Sequence, residues 1–149
     1  MVESQGQMIL LVEDNQDDQA FMRRAFRKNQ IANQLIITQT GEEALDFLFG
    51  TGAYADRDIR VIPTLVLLDL NLPRIDGLEV LRQIRARGMT KLLPVVVLTS
   101  SKEDKDVRTS YELGANSYVH KPVGLDEFAH AVHAVSLFWL HFNVASPIP

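Results

Sequence analysis

Carboxylate side chains directly follow two of the most apolar runs in the chain. Glu13 and Asp14 end the stretch "LLVED", and Asp69 ends "LVLLD". Three ionised carboxylates held close together repel one another and raise one another's pKa values unless a cation neutralises them. The set offers oxygen ligands and no Cys or His, which favours a hard ion such as Mg²⁺ that keeps several waters.

Hydroxyl and amine groups follow two later apolar runs. Thr99 and Ser100 come after "VVVL", and Lys121 follows the weaker run "SYVH". An aspartate beside a magnesium ion, a hydroxyl and an ammonium fits phosphoryl transfer onto a carboxylate. In this interpretation Asp69 attacks phosphorus in line, and Lys121 and Thr99 hold the remaining phosphoryl oxygens. The mixed anhydride formed is hydrolysable, so the modification is temporary.

Five short apolar runs rich in β-branched residues alternate with helix-like segments. They cover residues 8–12, 35–38, 64–68, 95–98 and 117–119. Because these runs are apolar on consecutive residues, they need cover on both faces, which right-handed crossover helices supply. The pattern predicts an α/β fold with a doubly wound, five-stranded parallel sheet, (βα)₅. In such a sheet the ligand site lies beyond the carboxyl ends of the strands, where the acids of the first and third strands meet.

Several residues predict where the helices begin and end. Thr40 and Glu43 form a capping box for the second helix. Gly88 is a candidate for the residue that ends the third helix, as its C′ residue. Ser101 is a candidate cap for the fourth helix, which closes at Gly114.

Composition limits the class of protein. The chain has 149 residues, no cysteine and a formal net charge of −4, and no apolar run is long enough to cross a membrane. It has no recognisable signal peptide and no dominant basic cluster, so we expect a cytoplasmic protein that binds neither nucleic acid nor membrane. We expect one domain over residues 8–142, with tails at 1–7 and 143–149.

Two segments depart from the simple alternation of strands and helices. Residues 50–63 form a connection longer than the usual two to six or so residues, either a binding loop or a surface excursion. The stretch "VSLFWLHF" near the end is apolar nearly all round, whereas a helix with one buried face carries a polar stripe. We therefore expect a homodimer contact through Leu137, Phe138 and Phe142; the alternative is a tail that folds back over them.

Four separated motifs together identify a family. The stretches "LLVEDN", "LLDLNLPRIDG", "VVVLTSS" and "YVHKP" occur in this order at successive predicted strand ends. Over roughly residues 8 to 140 the chain resembles the receiver domain of two-component response regulators. The resemblance implies a flavodoxin-like sheet with strand order 2-1-3-4-5.

The resemblance also implies roles for the acidic residues. Asp69 would be the phosphoacceptor. Asp14 and Asp69 would bind Mg²⁺ directly together with the backbone carbonyl of Asn71, and Glu13 would act mainly through water.

Further roles concern the phosphoryl group and the response to it. Lys121 would bind the phosphoryl group, with a cis peptide bond before Pro122. Thr99, with Ser100 beside it, and Tyr118 would form the switch.

The function this implies is a stand-alone response regulator. It would accept a phosphoryl group from a sensor histidine kinase and change the surface of its fourth and fifth helices and its dimerisation. The 50–63 loop and "FWL" also resemble the small regulators that pair with bacterial and cyanobacterial phytochromes. It would not be an enzyme beyond slow autodephosphorylation.

Three other hypotheses compete with the receiver. A Mg²⁺-dependent aspartyl-phosphate phosphatase would carry a second acid two residues after the nucleophile, where this chain has Asn71. A nucleotide- or flavin-binding domain would need glycines after the first strand, where this chain has "EDNQDD". A pseudo-receiver without phosphorylation is disfavoured because every expected site residue is present.

Overall fold

A five-stranded parallel sheet organises the chain. The computed structural model describes residues 7–147, and its strands lie in the order β2-β1-β3-β4-β5. The strands are β1 (Met8–Val12), β2 (Gln34–Thr38), β3 (Leu65–Leu68), β4 (Val95–Thr99) and β5 (Ser117–His120). The predicted fold and strand order are therefore confirmed.

Helices cover both faces of this sheet. They are α1 (Gln16–Lys28), α2 (Gly41–Phe49), α3 (Gly77–Ala86), α4 (Asp104–Glu112) and α5 (Leu125–Ser136), with a 3₁₀ turn at Gly52–Tyr54 and a π-helical turn at Leu137–Phe142. Within β1, Leu10 and Val12 belong to the core layer beneath α2 and α3, whereas Ile9 and Leu11 belong to the layer beneath α1 and α5. Two-sided burial explains why the strands are apolar at consecutive positions.

Two predicted helix signals are present. The Glu43 backbone N–H donates to the Thr40 hydroxyl at 3.0 Å, so Thr40 caps α2. Gly114 follows the end of α4 with a φ of +100°, a conformation that glycine adopts without steric cost.

The prediction for Ser101 was wrong, and that for Gly88 was right in position but not in conformation. The N-cap of α4 is Glu103, and the Ser101 hydroxyl donates instead to the Asp106 carboxylate at 2.6 Å. At the end of α3 the C-cap is Arg87, so Gly88 is the C′ residue, but Arg87 is extended and Gly88 does not have the positive φ of a left-handed cap. Local sequence marks these ends, but side-chain bonding to the following turn decides their geometry.

The 50–63 connection packs against α2. The Arg57 side chain donates to the carbonyls of Phe47 at 2.6 Å and Val61 at 2.7 Å, and its guanidinium lies 4.1 Å from the centre of the Phe47 ring. The Tyr54 hydroxyl donates to Glu43 at 2.8 Å. These contacts favour the surface excursion over an open binding loop.

Over residues 7–147, the helices are too short or too polar to cross a bilayer.

Candidate functional site

The acids that follow β1 and β3 meet at the carboxyl edge of the sheet. Val12 pairs with Leu68, so the next residues, Glu13 and Asp69, lie side by side. One carboxylate oxygen from each of Glu13, Asp14 and Asp69 lies within 4.8 Å of the other two. Glu13 and Asp69 are buried and Asp14 is exposed, so the cluster has one side open to solvent.

Lys121 reaches this cluster from the end of β5. Its ammonium nitrogen lies 2.5 Å from Glu13 Oε1, 2.7 Å from Asp18 Oδ2 and 3.0 Å from Asp69 Oδ2. The lysine side chain is only 10% exposed, so solvent weakens these ion pairs little. The structure thus brings Lys121 to the acids, as the sequence predicted, and adds Asp18.

The prediction of a cis peptide bond before Pro122 was wrong. No peptide bond within residues 7–147 is cis. The Lys121 backbone N–H donates to the Thr99 carbonyl at 2.8 Å, so the parallel pairing with β4 continues to the lysine. The Lys121 ammonium therefore reaches the site while the peptide bond between Lys121 and Pro122 is trans, the form that an X-Pro bond slightly prefers.

Negative charge dominates the cluster. Four carboxyl groups, those of Glu13, Asp14, Asp18 and Asp69, surround a single ammonium, that of Lys121. Burial raises the pKa of Glu13 to about 7; the hydrogen bond from Lys121 opposes that rise, and the charge of Asp69 adds to it. Burial alone would lower the pKa of Lys121, but its hydrogen bonds to Asp18 and Glu13 and the charge of Asp69 raise it above its usual value.

This donor set fits a divalent cation with hard-oxygen preference. The acids supply oxygen ligands within one ion's reach, and the excess charge needs a counterion that one lysine cannot provide. Asn71 lies beside them, and its N–H donates to Asp69 Oδ1 at 3.2 Å. The two carboxylate oxygens of Asp69 are thereby held separately, one by Asn71 and one by Lys121.

The residues of the predicted switch occupy the ends of β4 and β5. Thr99 is fully buried, Ser100 is exposed and Tyr118 is partly buried. The Tyr118 hydroxyl donates to the Ser101 carbonyl at 3.0 Å, and the Ser101 N–H makes a long bond to the Thr99 hydroxyl at 3.4 Å. Both predicted switch residues therefore contact the same segment, the turn between β4 and α4.

Sequence reasoning missed two residues of the site. Asp18 lies on the first turn of α1 and binds Lys121, as described above. Gly77 begins α3, and a Cβ placed on it would lie 2.2 Å from the Asp69 carbonyl oxygen and 2.7 Å from Leu70 Cα. The start of α3 thus lies against the backbone that carries Asp69. The "Asp-Gly" pair at the start of the third helix was the available signal for Gly77.

Comparison with known proteins gives one consistent match. A family model described as "Response regulator receiver domain" matches residues 9–133. The response regulator Rcp1 of Synechocystis sp. is 41% identical over 133 residues, 89% of this chain and 88% of Rcp1. The probable methanogenesis regulatory protein FilR2 of Methanothrix harundinacea is 38% identical over 142 residues, 95% of this chain and 88% of FilR2.

Solved structures agree with this match. The Mn²⁺-bound form of Rcp1 has a TM-score of 0.85 at 38% identity, and the alignment covers 95% of this chain and 99% of Rcp1. The phosphorylated cyanobacterial phytochrome response regulator RcpA has a TM-score of 0.87 at 35% identity, with coverage of 95% and 99%. These matches do not favour a phosphatase.

Proposed function

Because the chain belongs to the receiver domain family of response regulators, as its motifs predicted, we propose that Asp69 is a phosphoacceptor that relays the signal of a sensor histidine kinase in the cytoplasm. The observation that carries this proposal is the Asp69 carboxylate, which lies 3.0 Å from the Lys121 ammonium and within the acidic cluster. The phosphorylated structure of RcpA supports the same role.

In the reaction, an Asp69 carboxylate oxygen attacks the phosphorus of the donor. The bond from phosphorus to the donor nitrogen or oxygen breaks, and its electron pair leaves with the donor, which gives an acyl phosphate on Asp69. Lys121 holds one phosphoryl oxygen. Glu13, Asp14, Asp69 and Asn71 would hold Mg²⁺, which supplies charge neutralisation for the phosphoryl oxygens when it is bound. The Mn²⁺-bound form of Rcp1 supports a divalent ion at this site.

The signal would leave the site through the turn after β4. The phosphoryl group adds charge of about −1.5 to −2, which would draw the hydroxyls of Thr99 and Ser100 and change the contacts of Tyr118 with that turn. The helix that follows is weakly anchored, because Ser110 is the buried residue of α4. A helix with few buried contacts can shift at low cost in free energy.

The kinase partner follows from the relatives. RcpA is a phytochrome response regulator by description, whereas FilR2 is described as a methanogenesis regulator. We assign a phytochrome-type histidine kinase as the partner. Phosphotransfer from a panel of autophosphorylated kinases tests this choice: a phytochrome-type kinase should label the chain fastest, and equal or faster transfer from unrelated kinases would reject it.

Magnesium affinity should rise with pH up to about 7 and level off above. Burial raises the pKa of Glu13 to about 7, so the ion displaces a proton at lower pH, and linkage gives at most about tenfold in affinity per pH unit. As the pH rises from 4.5 to about 7, the free energy of unfolding of the metal-free protein should also fall. The reason is that Glu13 binds its proton more tightly in the folded state than in the unfolded chain. Calorimetric titration with Mg²⁺ measures the affinity. In Glu13→Gln the pH dependence should disappear; an affinity of wild type that does not vary with pH would contradict the expectation.

The π-helical turn after α5 supports a homodimer. Leu137 is 39% exposed, Phe138 is 48% exposed and Phe142 is 69% exposed. Residues 145–147 lie beside Leu92 and Pro94. The described part of the tail therefore does not fold back over the three exposed side chains of the patch. A second copy of this chain would bury the same patch in a symmetric contact.

Charge on this patch should dissociate the dimer. In Phe138→Asp, Phe142→Asp, each copy would place two carboxylates without partners in the contact, which costs several kcal/mol. Sedimentation velocity should give a dimer for wild type and a monomer for the variant. Val61→Asp is the matched control, because Val61 is 54% exposed and lies in the 50–63 excursion. Equal sedimentation of wild type and the double variant would reject the dimer.

A further inference from the structure

The Lys121 ammonium uses all its hydrogen-bond donors within one site. An ammonium has three N–H groups, and the nitrogen contacts three carboxylates, those of Glu13, Asp18 and Asp69. We infer that Asp18 is a positioning residue for phosphoryl transfer: with Glu13 it fixes the lysine so that the third N–H points at Asp69. This inference rests on the proposed function of Asp69.

The local structure holds Asp18 in place. The Asp18 backbone N–H donates to the Asn15 side chain at 3.0 Å, so Asn15 caps α1. The Asn15 backbone N–H donates in turn to Glu13 Oε2 at 3.1 Å, while Glu13 Oε1 accepts from Lys121. The two carboxylates that hold the lysine are thus connected through one helix cap.

Asp18 contacts the lysine and lies outside the candidate metal ligands. Among the described residues, the acidic cluster whose oxygens lie within 4.8 Å of one another contains Glu13, Asp14 and Asp69. Asp18 is 27% exposed and its Oδ2 lies 2.7 Å from the lysine nitrogen. Its effect on the reaction should therefore pass through Lys121.

A flexible lysine needs such a constraint. Lys has four rotatable bonds and a strongly hydrated ammonium, so one ion pair leaves it many orientations. When a phosphoryl group is attached to Asp69, its oxygen can take the third N–H while Glu13 and Asp18 keep the other two. The lysine then needs little rearrangement in the transition state.

Asp18→Asn tests the inference against a matched control. The change removes the charge that holds Lys121, so phosphorylation of Asp69 by acetyl phosphate with Mg²⁺ should slow by roughly tenfold to a hundredfold. Asp17→Asn removes the same charge from the same helix turn, but Asp17 is exposed and is not among the three carboxylates that the Lys121 ammonium contacts. It should keep the wild-type rate. An Asp18→Asn rate equal to that of Asp17→Asn would overturn the inference.

A double-variant cycle shows whether Asp18 acts through the lysine. In a Lys121→Met background, Asp18→Asn should cause no further loss of rate. The same loss factor in that background would mean that Asp18 acts independently. Magnesium affinity, measured by calorimetry, should match between Asp18→Asn and Asp17→Asn; a selective loss in Asp18→Asn would make Asp18 a metal ligand and overturn the inference.

A spectroscopic measurement separates this inference from the proposed function. In ¹⁵N-labelled protein without metal or phosphodonor, wild type and Asp17→Asn should show a Lys121 ammonium signal protected from solvent exchange, and Asp18→Asn should lose it. Retention of the signal in Asp18→Asn would overturn the positioning role. If wild type shows the protected signal but gains no phosphoryl group on Asp69, the proposed function fails and the lysine anchor still holds.

Discussion

Asp69→Asn should abolish phosphorylation of the chain. The amide that replaces the carboxylate is not a nucleophile towards phosphorus and cannot form an acyl phosphate, so the expected loss is complete. Incubation with Mg²⁺ and acetyl phosphate, followed by intact mass measurement, should give wild type one phosphoryl group that is stable in acid and released by base. The Asn variant should keep its original mass.

Asp76→Asn is the matched control for this experiment. Asp76 lies in the same stretch, and its side chain caps α3 by accepting from the Glu79 N–H at 3.0 Å. Asn is an equally good cap, so this variant should fold and become phosphorylated like wild type. If Asp69→Asn gains the phosphoryl group as wild type does, Asp69 is not the acceptor.

The same preparation tests the competing enzyme. A phosphatase of the aspartyl-phosphate type would release phosphate from small phosphomonoesters over many turnovers per protein molecule. In this chain Asn71, which lacks an acid or base function, stands two residues after Asp69. Release should therefore be slow, and rapid multiple turnover would favour the enzyme.

The sheet and the meeting of its acids could be predicted because they follow from periodicity and topology. Consecutive apolar residues in β1 and β3 require two-sided burial, and two parallel neighbours end at the same edge. The strand order implied by the family resemblance makes β1 and β3 neighbours, so Glu13 and Asp69 are adjacent. Lys121 follows β5, which ends at that edge two strands from β3, and its long side chain spans the distance to the acids.

Asp18 could not be predicted in the same way. Its contact with Lys121 depends on where α1 begins and how its first turn is oriented, and the cap at Asn15 sets both. Asp17 and Asp18 are adjacent residues of the same type, and the sequence alone does not distinguish them. In the structure Asp18 contacts the lysine and Asp17 faces solvent. A shift of one residue in the start of a helix rotates each side chain by about 100°.

The failed prediction for Ser101 has a similar cause. A Ser three residues before an acidic stretch is a normal N-cap, but here its hydroxyl bonds to the side chain of Asp106 and its carbonyl accepts from Tyr118. A local bond to the first turn of α4 and a tertiary bond from β5 therefore override the capping preference. The bond from Tyr118 depends on the neighbouring strand, which a local motif does not encode.

Gly77→Ala should destabilise the fold and slow phosphorylation together. The added Cβ would lie 2.2 Å from the Asp69 carbonyl oxygen and 2.7 Å from Leu70 Cα, and both are backbone atoms that cannot rotate away. The Gly77 N–H also donates to the Leu70 carbonyl at 3.0 Å, so α3 cannot move without breaking this bond. We expect the free energy of unfolding to fall by about 1–3 kcal/mol, measured by urea denaturation.

Gly88→Ala separates this close approach from the general effect of replacing glycine. A Cβ on Gly88 would have no atom within 4 Å, and its φ is not positive. The loss of unfolded-state entropy should leave this variant unchanged or stabilise it by up to about 1 kcal/mol. In Gly77→Ala the rate of phosphorylation should fall even at temperatures where the protein is fully folded, because the clash displaces the backbone that carries the nucleophile. Equal stability and equal rates in the two variants would mean that the start of α3 is not in close contact with the Asp69 backbone. Destabilisation of Gly77→Ala with an unchanged rate would mean that α3 moves to relieve the clash and the phosphoacceptor stays in place.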